Sequence, residues 1–133
     1  MWDIDAPVGK NQPNRADDVR LVQSLLRAIV AVSLPHAPAI PRFQTPLLHV
    51  TGVFDESTAS QIKMFQLGMN SKHPGRYPTD GVVTPLRSPA KVDWTLHSSN
   101  GKMSTMAALN FELRAMNKYT HETVGEKLHE RLL

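Results

Sequence analysis

Residues 51–66 read TGVFDESTASQIKMFQ, and residues 79–85 read TDGVVTP. Asp55 stands where a helix needs its N-cap. Its carboxylate can accept from the backbone N–H of Thr58, one of the donors a helix start leaves unpaired. Glu56 follows in the first turn, where the helix dipole favours an anion. Ala59, Ile62, Phe65 and Met69 recur at intervals of 3, 3 and 4, the apolar stripe of one helix, with Ser60 and Lys63 opposite. Gly68, Asn70 and then Pro74-Gly75 predict the stop. Asp80-Gly81 predicts a turn, since Gly accepts a positive φ and Asp bonds its own backbone.

Upstream, the first dozen residues carry Pro7, Gly9, Asn11 and Pro13 and read as an irregular arm. A helix is expected from about Asp17 to Val32. Val19, Val22, Leu26 and Ile29 form one apolar stripe, and Leu21, Leu25, Ala28 and Val32 another, the pattern of a helix buried between layers. Four prolines at 35, 38, 41 and 46 forbid a regular helix across residues 34–46. Downstream of Pro85, a further helix is expected from the cap Ser104 to about Lys118. Its core stripe is Met106, Leu109, Leu113 and Met116, and a second stripe holds Ala108, Phe111 and Ala115. The tail from His121 places Val124, Leu128 and Leu132 at helical spacing, a short segment suited to covering Phe111 or meeting a partner. The sequence shows no internal repeat.

The order G-x-F-D-x-x-T, a helix ending F-Q, then D-G-V-V resembles the small three-helix peptidoglycan-binding domain carried by many bacterial cell-wall hydrolases. Asp18-Val19-x-x-Val22-Gln23-x-x-Leu26 is similar to the first helix of that family. The resemblance runs from about Ala16 to Pro85. The insertion at 34–46 departs from it, and so does Thr84, which stands where the family often has Gly. The implied fold is all-α: a three-helix peptidoglycan-binding-like core with a Pro-rich insertion and an extra C-terminal helix. It forms one domain over 1–133, with the motif-bearing part at 16–85, the third helix at 103–118 and a helical tail at 119–133. The opening V-G-K-x-x-x-N-R-x-D-D-V-x-x-V-Q-x-L-L also resembles small proteins of type VI secretion loci. That resemblance implies the company of an effector.

At 133 residues with 41% apolar and 20% charged residues, the composition is that of an ordinary folded domain. No apolar run approaches the roughly 20 residues a membrane span needs. The opening MWDIDAPVGK places acids where a Sec signal peptide needs Lys or Arg before an apolar stretch. The expectation is a chain synthesised in the cytoplasm without a Sec signal, for which the resemblance to proteins of type VI secretion loci implies delivery to the periplasm by a specialised secretion system. There is no cysteine, so thiolate chemistry and disulfides are excluded. The formal net charge is +3, but Lys and Arg are scattered singly and aromatics make up 6%, a pattern that argues against nucleic-acid binding.

Catalytic signals are sparse. His121-Glu122 begins like the zinc motif H-E-x-x-H, but Gly125 occupies the place of the second histidine, and Glu126-x-x-His129 is an isolated pair. Catalytic zinc needs three protein ligands and an open position. No G-x-S-x-G and no phosphate-cradling Gly loop is present. The expectation is a non-enzyme without metal or cofactor. The stretch from Met69 to Val83 is richer, and His73, Arg76, Tyr77 and Asp80 lie in it. Tyr77 would stack on a sugar and Arg76 would fork to a stem carboxylate. Gln66 stands beside this loop, and structural duty suits it better than ligand contact. The resulting expectation is a module that binds peptidoglycan or its fragments beside a protein partner such as an effector or hydrolase. The alternative is an adaptor or immunity-type binder that keeps the fold without glycan binding.

Overall fold

The computed structural model describes residues 2–33, 48–86 and 102–116. Among the described residues there are three helices: α1 (Ala16–Ser33), α2 (Glu56–Lys72) and α3 (Thr105–Met116). Among the described residues the extended pairing is a single antiparallel bridge, Val8 with Val83. The all-α expectation holds at this level. The Pro-rich stretch at 34–46 and the C-terminal segment from His121 lie outside the described residues.

Both apolar stripes of α1 are used. Val19, Leu21, Val22, Leu25, Leu26, Ile29 and Val30 are all buried. They meet Ile62, Phe65 and Met69 from α2 and Met106, Leu109 and Leu113 from α3 in one core. Each such side chain contributes about 1.5–3 kcal/mol when fully buried.

α2 begins as its cap predicts, with Asp55 Oδ1 accepting from Thr58 N at 2.9 Å and from Thr58 Oγ1 at 2.7 Å. Its end differs from the expectation. The helix runs through Gly68 and Asn70 to Lys72, and His73 closes it with its N–H on Met69 O at 3.0 Å. An interior Gly costs only about 1 kcal/mol relative to Ala, less than the flanking core contacts contribute. The Asn70 side chain looks past the helix end, accepting from Gly75 N at 2.9 Å. At the start of α3, Ser104 Oγ accepts from Ala107 N at 3.4 Å, in keeping with its reading as a cap.

Two buried glutamines organise the connections, and they do so in the same way. Gln23, fully buried on α1, accepts from Thr51 N and Gly52 N at 2.9 Å each. Its Nε2 donates to Val53 O at 3.1 Å and Thr58 Oγ1 at 3.0 Å. Gln66 on α2 accepts from Gly81 N at 2.7 Å and donates to Val82 O at 3.1 Å and Thr105 Oγ1 at 2.9 Å. In each case one helix holds a glycine turn, the carbonyl after it, and a threonine early in the next helix. Gly52 and Gly81 share a left-handed φ of 79° and 74°. The structure thus contains a repeated clamp where the sequence reading finds no repeat.

The N-terminal arm is also more ordered than expected. It straps the bundle through reciprocal hydrogen bonds of Val8 with Val83 at 2.9 and 2.8 Å. Leu86 N donates to Asp3 Oδ1 at 2.8 Å, and Trp2 N donates to Asn110 Oδ1 at 2.7 Å. Buried Asp18 on α1 receives Asp5 N and Ala6 N at 2.9 and 3.1 Å.

Candidate functional site

The five residues expected at a ligand divide into two groups. Gln66 and Asp80 belong to the second clamp: Asp80 Oδ1 accepts from Gln66 Nε2 at 3.2 Å and from Val82 N at 3.0 Å. Gln66 is 1% exposed, so its amide does not reach a ligand. Tyr77 is also buried, at 8% exposure, among the core residues. Its ring does not stand open to stack on a sugar, contrary to the sequence expectation. Burial, and then the Glu112 carboxylate, push its phenol above the usual value, while Arg76 opposes them.

His73 and Arg76 are the two of the five with exposed side chains beyond the clamp. The His73 ring lies 6.1 Å from that of Tyr77, tilted by 43°. The backbone of this loop is well tied: Arg76 N donates to His73 O at 3.1 Å, and Arg76 O receives Met103 N at 2.8 Å. The loop presents two basic side chains at the C-terminal end of α2, where the helix dipole does not favour anions.

A different surface has the shape of a site. An open groove of about 860 Å³ lies along the outer face of the N-terminal part of α2. Phe54, Ala59, Met64 and Leu67 supply apolar lining, and Lys10, Lys63, Asp55 and Glu56 supply charge. Phe54 and Met64 also pack their inner sides on the core. Leu67 is 43% exposed, and Val53, just before the groove, is 63% exposed. Asp55 is occupied by its cap, and the hydrogen bonds from Thr58 hold its carboxyl below the usual range. Lys10 and Lys63 are exposed, leaving two cations to meet a ligand.

Ser60 and Lys63 mark the solvent face of α2 as polar, and that masks the groove in the sequence. Met64 and Leu67 on the same side were the available signal. Among the described residues no group of three or more His, Asp or Glu side chains is placed to hold a metal ion. His121, Glu122, Glu126 and His129 lie outside them. Among the described residues no helix is long and apolar enough to cross a membrane. Comparison with protein-family models, with curated proteins and with solved structures finds no match to this chain.

Proposed function

We propose that the chain is a non-enzymatic binding module for peptidoglycan or its fragments, working beside a protein partner, and that the α2 groove is where the glycopeptide lies. The observation that carries this reading is the groove itself, apolar along its floor and cationic at Lys10 and Lys63. A glycan strand with peptide stems offers matching chemistry. The C–H faces of its sugars suit Phe54, Met64 and Leu67, and its stem carboxylates suit the two ammonium groups. The type of fold and the order of motifs along residues 16–85 support the same reading. On it, the loop at 73–80 is scaffold, with Arg76 and His73 at its rim.

The test is co-sedimentation with purified insoluble peptidoglycan. Wild type pellets with the polymer. Lys10→Glu, which reverses one rim charge, weakens pelleting by a charge-assisted contact, about 1.5–3 kcal/mol, without moving the melting temperature. Failure of the wild type to pellet, or equal pelleting of the variant, contradicts the proposal. A protein-binding adaptor is the second reading, favoured by the exposed apolar side chains Val53 and Phe111, the latter 38% exposed. Under that reading, pelleting fails altogether.

A further inference from the structure

The outer stripe of α2 is self-complementary. We propose that it pairs with a second copy of this chain across a two-fold axis, and that this pairing covers the groove. Glu56, Ser60, Lys63 and Leu67 stand at helical intervals of 4, 3 and 4 on one line. That line is opposite the buried positions Thr58, Ile62, Phe65 and Met69. When two such helices cross antiparallel with the axis beside Ala59 and Ser60, Glu56 of each copy faces Lys63 of the other.

Three features favour a second copy as the occupant. The charges are equal in number and opposite in sign about one centre, as an isologous contact requires. Neither Glu56 nor Lys63 has an ion-pair partner among the described residues. The residues at the crossing point are small, so the helices can approach closely.

Residues 56–67 span only about 18 Å of helix. The patch is far smaller than the roughly 800 Å² per partner of a stable interface. The pairing is therefore weak and concentration-dependent. It regulates the proposed ligand site by mass action, since the dimer closes the groove and ligand favours the monomer. This consequence rests on the groove being the ligand site, whereas the pairing itself does not.

Sedimentation velocity up to about 1 mM protein tests it, the range where a contact worth about 4 kcal/mol becomes visible. Wild type shows a reversible dimer. Glu56→Lys and Lys63→Glu each abolish it by setting like charges face to face, and the double variant restores it. Thermal melting checks that each variant is folded. A wild type that stays monomeric, a dimer indifferent to the single swaps, or a double variant without rescue overturns the proposal. Adding soluble muropeptide to the wild-type dimer reads the regulatory consequence. Dissociation supports it, and an unchanged dimer fraction overturns it. The ligand reading is scored separately, by pelleting: protein that pellets but never dimerises refutes only the pairing, and protein that dimerises but never pellets refutes only the ligand site.

Discussion

Asp55 is the residue whose role follows most directly from local chemistry. Its carboxylate bonds the N–H and the hydroxyl of Thr58, and both bonds favour the charged form. Because the folded pKa is depressed, this stabilisation is present above the unfolded value. It is lost as pH falls below about 3.9 and through the lowered folded value. Asp55→Ala should lower stability by about 1 kcal/mol near neutral pH. Denaturant titrations of both proteins at several pH values should show that gap closing in acid. Tyr77 is the opposite case. A loop aromatic carries no periodicity, so its 8% exposure could not be read from its neighbours. Tyr77→Ala should behave as a core truncation and cost about 3 kcal/mol or more of stability. A variant that melts like the wild type but binds ligand less well would return Tyr77 to the site.

At the scale of elements, the helices were legible and their connections were not. The periodicity of α1, α2 and α3 and the caps Asp55 and Ser104 lie within a few residues, and the described helices match them apart from the end of α2. The clamps depend on partners far along the chain: Gln23 reaches Thr58 across 35 residues and Gln66 reaches Thr105 across 39. No window on hydrophobic spacing sees such a bond. The two signals that existed were a glutamine on each helix and a glycine turn before the next, and they become a repeat only once the hydrogen bonds align them. Removing either amide leaves the backbone N–H groups it holds, Gly52 N and Thr51 N or Gly81 N, without that partner. Gln23→Ala and Gln66→Ala should each cost about 1–3 kcal/mol. Guanidinium unfolding of the two variants should give similar losses, as equivalent clamps require, and a silent Gln66→Ala would show that the second clamp bears no weight.

For the whole molecule, the arm at residues 2–9 matters more than its Pro and Gly content suggests. It joins α1, the 80–86 segment and α3 by hydrogen bonds that span up to 108 residues of sequence. Gly9 is its tightest point. A Cβ there would stand 2.9 Å from Gly81 O and 3.0 Å from Val82 Cγ2. Gly9→Ala must push the arm off the second clamp, at a cost of about 1–3 kcal/mol. Hydrogen exchange should then accelerate at Val8 and Val83 together, since each protects the other. The arm also delivers Lys10 to the groove, so the same fold that seals the core places a cation from the N-terminus beside α2. The most direct test of the groove as the binding site is a heteronuclear NMR titration of the chain with soluble muropeptides. Shift changes should concentrate on Lys10, Phe54, Ala59, Lys63, Met64 and Leu67. Saturation with no shift changes there, or changes confined to His73, Arg76 and their neighbours, would contradict the account.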